Sequence, residues 1–175
     1  MFRNMKKWYY IVAFHIVRRG VFKMKWNGKD IELYIGAKEY VDTVIIPLIG
    51  ISFKEMIRQS ASTNEFTTIL SQQIEQQFKG RVMLLPPLTY SNEWIMEEKI
   101  QLLLQWKETL MVENFKHIFF LTSDIDWKSI EGQLGDELLW TNSIPLEHLD
   151  EKYKQPMMDE QVKKILKVII NQWNK

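Results

Sequence analysis

Three separated runs of apolar, β-branched and aromatic residues constrain this chain most: Thr43-Val44-Ile45-Ile46-Pro47-Leu48, Arg81-Val82-Met83-Leu84-Leu85 and His117-Ile118-Phe119-Phe120-Leu121. A strand with one wet face alternates apolar and polar side chains. These runs do not alternate, so both faces of each must be covered, as in a parallel sheet with helices above and below. Ser143-Ile144-Pro145-Leu146 is a weaker fourth strand, and its proline, which lacks an N–H, suits a sheet edge.

Between these runs the period is helical. Phe66, Ile69, Leu70, Ile74 and Phe78 share one face, with Ser62 and Glu65 spaced as a capping box and Gly80 placed as a C-terminal cap. Asn92 is the expected cap of a helix with Met96, Ile100, Leu103, Leu104 and Met111 inward. Asp126 is the expected cap of a helix over Trp127 to Leu139. A last helix begins near Asp159 and carries Val162, Ile165, Leu166, Ile169 and Trp173; an opening helix follows Asn27-Gly28 with Ile31, Tyr34, Ile35 and Val41. Each strand-to-strand connection is long enough for a right-handed crossover. The expected fold is therefore α/β: a three-layer sandwich with a mostly parallel sheet of about four strands flanked by helices.

The 175 residues suit one domain with a substantial core, and the lack of cysteine excludes thiol catalysis, Cys-based zinc sites and iron–sulfur clusters. Charge divides the chain. Residues 1–23 hold six basic residues and no acid, whereas residues 24–175 carry a net −5, which argues against a nucleic-acid partner. The arm's apolar run, Trp8 to Val17, rises about 15 Å as a helix, half of a hydrocarbon core, so it does not span a membrane. Its Lys, Arg, Trp and Tyr suit peripheral contact with a membrane surface. Alternatively, the arm is untranslated. Arg18-Arg19-Gly20-Val21 is encodable by purine-rich codons resembling a bacterial ribosome-binding site, and ordinary globular sequence starts at Met24. The expected organisation is an arm over 1–23, with Met24 as the native start, and a single α/β domain over 24–175.

In open α/β sheets ligands bind beyond the carboxyl ends of the strands. That rule selects Ser52, Lys54 and Arg58 after the first strand, and Thr89, Tyr90 and Ser91 after the second. It also selects Thr122, Ser123, Asp124 and Asp126 after the third, with Glu147 and His148 after the fourth. Asp124 and Asp126 can hold a cation or share acid–base work, or simply cap the helix that follows. His148 can serve as a proton carrier beside Glu147, join Ser123 and Asp124 as a Ser/His/Asp group, or be a lone surface histidine. Lys54 and Arg58, four apart, can face a phosphate or be a solvated basic pair. The three histidines lack metal-ligand spacing, and no glycine-rich phosphate loop is present, so no cofactor is indicated. The seven tryptophans are expected mostly in the core, with any exposed ones marking a partner surface.

Lys38-Glu39-Tyr40-Val41-Asp42-Thr43-Val44-Ile45-Ile46-Pro47-Leu48, the Met24-Lys25-Trp26 opening and Lys79-Gly80-Arg81-Val82-Met83-Leu84-Leu85-Pro86 together resemble the YpiF-like family. These are uncharacterised small proteins of Bacillus-type Gram-positive bacteria. The resemblance runs from Met24 nearly to the C-terminus and excludes residues 1–23. It implies a bacterial cytoplasmic setting and carries over no catalytic residues.

Two functions are expected. The first is a non-catalytic cytoplasmic protein that binds a protein partner or a small ligand. The second is a small enzyme acting on a phosphorylated or nucleotide-like metabolite. There Asp124, Asp126 and His148 would do the chemistry, and Ser52, Lys54, Arg58, Tyr90 and Ser123 would hold the ligand. A membrane tether through residues 1–23 is compatible with either.

Overall fold

The computed structural model describes residues 23–78 and 80–175. The expected arm, apart from Lys23, lies outside the described residues. In chain order the elements are α1 (Gly28–Ala37), β1 (Thr43–Ile51), α2 (Ile57–Gln77), β2 (Val82–Leu84), β3 (Leu88–Ser91), α3 (Met96–Val112), β4 (His117–Thr122), α4 (Ile125–Lys128), α5 (Glu131–Leu134), β5 (Leu138–Trp140) and α6 (Glu151–Trp173).

All pairings between these strands are parallel, in the order β2-β1-β4-β5, with β3 also pairing β1. Alternate residues of β1, β2, β4 and β5 enter different cores, which explains the continuous apolar runs. Val44, Ile46 and Leu48 join Ile118 and Phe120 in a core covered by Tyr34 of α1, Leu103 and Leu110 of α3, and Trp127 of α4. Ile45, Phe119 and Leu121 enter the opposite core, covered by Phe66, Leu70 and Ile74 of α2 and by Met158, Val162, Ile165 and Ile169 of α6. This is the three-layer α/β sandwich expected from the sequence, with one strand more than expected.

The additional strand is β3. Thr43 pairs with Val82 and Ile45 with Leu84, whereas Leu48 pairs with Leu88 and Ile51 with Ser91. The neighbour of β1 is thus a single line of chain broken at Leu85-Pro86-Pro87. Pro47 of β1 fits beside that break. Thr43 N–H donates to Arg81 O, and the Ile45 and Ile51 carbonyls accept from Leu85 and Asn92, so odd-numbered β1 residues face this neighbour. The absent N–H of Pro47 therefore falls where no ladder bond is made, which lets a proline sit inside a central strand.

Several expected boundaries differ. α2 begins at Ile57, so Ser62 is interior and its hydroxyl donates to Glu147 Oε2 at 3.0 Å instead of capping the helix. α3 begins at Met96 after Ile95, and Asn92 does not cap it. α6 begins at Glu151 and contains Pro156 on its exposed side, so that proline does not delay the helix to Asp159. The expected helix over 127–139 is broken twice, at Ser129-Ile130 and at Gly135. α4 ends at Lys128, α5 covers four residues, and Gly135 takes φ 62°, ψ −150°, which turns the chain into β5. β5 then occupies the edge expected for 143–146, and those residues form no strand. Leu138 and Leu139 fill both cores, whereas Pro145 cannot donate to a ladder.

Candidate functional site

A cleft of about 430 Å³ opens at the carboxyl ends of β1, β3, β4 and β5. Its floor is Gly50. A Cβ there would stand 2.1 Å from Asn92 Oδ1, 2.9 Å from Asp124 Oδ2 and 2.9 Å from the Tyr90 ring, so only glycine lets these three groups converge. β3 delivers Tyr90 and Asn92, and β4 delivers Ser123 and Asp124. α2 contributes Ser60, Thr63 and Asn64 along one face. Asn64 Nδ2 donates to Gly50 O at 2.8 Å and ties α2 to the floor.

The carboxylates are individually held. Asp124 Oδ1 accepts from the Asp126 N–H at 3.1 Å and so caps α4, the role expected of Asp126. Asp124 Oδ2 accepts from the Tyr90 hydroxyl at 2.6 Å, and that hydroxyl accepts from Trp127 Nε1 at 2.7 Å. Burial first, and then the charge of Asp124, pushes the Tyr90 hydroxyl far above its ordinary range, so it stays a donor. Asp126 Oδ2 pairs with Lys99 Nζ at 3.2 Å; that lysine side chain is 2 % exposed and also donates to Asn92 O. At the rim, Glu93 pairs with Lys54, whose hydrogen bond holds the Glu93 carboxyl below its usual range. Ser52, buried, lies within hydrogen-bond reach of Glu93 Oε1 at 3.4 Å.

Two polar atoms of the cleft residues have unmet bonding capacity. Ser123 is 6 % exposed, and neither its Oγ nor the buried Asn92 Oδ1 has a hydrogen-bond partner. Among the described residues only Gln73 and Glu75 carry further side-chain atoms of this kind. Such an atom, left unpaired, costs about 1–3 kcal/mol, and two of the four belong to residues of this cleft.

Of the residues selected from the sequence, Ser52, Ser123, Asp124 and Asp126 line the cleft. Tyr90 lies behind Asp124, and Lys54 reaches only the rim. Arg58 is exposed on the first turn of α2 and does not line the cleft. Neither does His148, 78 % exposed and facing Glu147 at 3.9 Å, so the geometry does not assemble a Ser/His/Asp group. Gly50, Asn64, Asn92, Glu93, Lys99, Asn142 and Ser143 were not selected. One signal did exist for the α2 wall: Ser60, Thr63, Thr67 and Ser71 repeat at helical spacing and are all buried.

A second cavity, about 520 Å³ and mostly apolar, lies between α1 and α3 beside the Pro86-Pro87 break, with Trp26, Tyr34 and Trp106 on its walls. Trp26, Trp94 and Trp106 are exposed. Trp140 and Trp173 are half-buried and Trp127 is buried, so the tryptophans are divided between core and surface. No cluster of three or more metal-ligating His, Cys, Asp or Glu side chains occurs among the described residues, and none of their helices is long and apolar enough to cross a membrane.

A family model described as "Protein of unknown function (DUF2487)" matches residues 32–173. The chain is similar to the uncharacterized protein YpiF of Bacillus subtilis (strain 168), at 41 % identity over 151 residues, which is 86 % of this chain and 99 % of that protein. No solved structure matches.

Proposed function

The chain belongs to the DUF2487 family of proteins of unknown function, and we propose that it is a cytoplasmic protein, as its resemblance implies, whose cleft is a non-catalytic binding site for a small polar ligand. The observation that carries this reading is the buried, unpartnered Ser123 hydroxyl in the wall of a cleft floored by Gly50. A ligand placed there would satisfy what the protein leaves unsatisfied.

Catalysis is the weaker reading because the expected chemistry lacks free groups. Asp124 is engaged through both oxygens, Asp126 is paired with Lys99, and His148 does not line the cleft. Ser123 thus has no hydrogen-bonded base to activate it. The phosphate version also loses its anion contacts, since Lys54 is committed to Glu93 and Arg58 is not in the lining. A small ligand is favoured over a protein partner at this site because the cleft is concave and its polar groups converge, as in small-molecule sites.

Thermal unfolding of the full chain against amines, hexoses, sugar phosphates, nucleotides and Mg²⁺ tests the reading. One class is expected to raise Tm by roughly 5–11 °C at a hundred times its Kd. Ser123→Ala should reduce that rise while leaving the ligand-free protein as stable or slightly more so, because it deletes an unpaired polar atom. A rise undiminished in Ser123→Ala, and equally undiminished in a folded Gly50→Ala protein, overturns the proposal.

A further inference from the structure

We infer that the ligand of this cleft is cationic: a small molecule whose ammonium or guanidinium group is received beside Asp124. The inference rests on the binding reading above and goes on to name the chemistry of what binds.

Three carboxylates line the cleft, those of Glu93, Asp124 and Asp126, and no Lys, Arg or His is among the lining residues. Two of the three have a lysine each: Glu93 has Lys54 and Asp126 has Lys99. Asp124 differs. Its oxygens are held by a tyrosine hydroxyl and a main-chain N–H, both neutral, and among the described residues it forms no ion pair. These five side chains together therefore leave one negative charge uncompensated, on the carboxylate at the floor.

The hydrogen-bonding capacity has the matching sense. Asn92 Oδ1, a buried acceptor without a donor, and Asp124 Oδ2 both pack close against Gly50 at the cleft floor. Ser123, nine-tenths buried and unpartnered, is on the same wall. Acceptors and a carboxylate call for a ligand that brings donors and positive charge, and charge-assisted hydrogen bonds to a carboxylate are the stronger kind. An anionic ligand would meet Asp124 with like charge and find no cation in the lining. Among the other lining groups, the Asn142 amide and the Thr63 and Ser143 hydroxyls suit a short polar body attached to that head, beside the apolar side chains of Met56, Ile125 and Trp140.

Calorimetric titration of the full chain with putrescine, ethanolamine and agmatine, alongside glucose, glucose 6-phosphate and inorganic phosphate, tests this. At least one amine should bind, with affinity falling as salt rises, and the phosphates should not. Asp124→Asn should weaken amine binding about tenfold or more. Because it also alters a helix cap, Lys54→Glu gives a check that leaves that cap alone and removes only the exposed pair with Glu93. Lys54 is 72 % exposed, and reversing its charge at the rim should tighten amine binding several-fold. Binding of glucose or a phosphate but no amine, lost in Ser123→Ala, overturns the cationic assignment and leaves the cleft as a binding site. Amine binding untouched by Asp124→Asn, Lys54→Glu and Ser123→Ala overturns both, as does the absence of binding across all six compounds.

Discussion

The carboxylate of Glu75 is buried on α2, with Oε1 accepting from the Met24 main-chain N–H at 2.8 Å and Oε2 without a partner. Desolvation is the largest influence on it and raises its pKa above 4.5, against the smaller lowering by that hydrogen bond and by Lys25 and Lys23. A carboxyl whose folded pKa is raised contributes stability below its unfolded value. That contribution is lost as pH rises through the folded value. Glu75→Gln keeps a group that can accept from Met24 and removes the charge. Its stability relative to wild type should therefore grow as pH climbs from the ordinary carboxylate range toward neutrality. Urea unfolding of both proteins between pH 4 and 8 checks this, and a difference that does not change with pH would contradict it. Asp42 behaves in the opposite sense. Burial works against its charge, but hydrogen bonds from Arg81 and Thr43, with the Arg81 charge, hold its pKa below the usual value. Its contribution is present above the ordinary carboxylate range and fades as pH falls through the lowered pKa.

Among the elements, the stretch from α4 to β5 shows how one backbone conformation overrides helical periodicity. Gly135, at φ 62° and ψ −150°, occupies a region open essentially to glycine alone, and a Cβ there would meet no neighbouring atom within 4 Å. The cost of Gly135→Ala is therefore conformational and not steric: a loss of about 1–3 kcal/mol, measurable by chemical denaturation. A variant as stable as wild type would mean the turn can reorganise. The β2–β3 line makes a related point. Leu88-Thr89-Tyr90-Ser91 follows two prolines and carries little strand signal of its own. It becomes β3 because β1 runs on to Ile51 and offers it unpaired edge groups. Through that pairing Asn92 and Glu93 reach the cleft and Tyr90 takes its place behind Asp124.

At the scale of the whole molecule, the two ends of the sheet do different work. The end opposite the cleft is closed by packing: Trp173 of α6 stacks under the Arg81 guanidinium at 3.8 Å, meets the Phe78 ring at 4.5 Å and donates to Thr43 Oγ1 at 2.9 Å. Trp173→Ala should cost about 2–3 kcal/mol, somewhat less than a fully buried Trp, by loosening α6 from the sheet. Thermal unfolding reads this directly, and a change under about 0.5 kcal/mol would show that α6 docks without it. The cleft end is instead open and polar, with unmet hydrogen bonds.

The amino-acid sequence by itself determined the α/β class and the sandwich of helices about a parallel sheet, and it pointed to the end of the sheet where the cleft lies. Continuous apolar runs and helical periods are local signals, repeated over many residues and hard to erase. It also placed Ser52, Ser123, Asp124 and Asp126 at strand ends, where the cleft lies. Only the tertiary structure decided which of the selected groups meet. Arg58 follows β1 as Asp124 follows β4, whereas His148 follows 143–146, which form no strand, and both lie outside the cleft. The difference comes from long-range pairing: β3 beside β1 and Lys99 across from Asp126, in a register set by contacts between residues distant in sequence. Pairings of that kind depend on the sum of many weak contacts across the sheet, and no single stretch of chain encodes them.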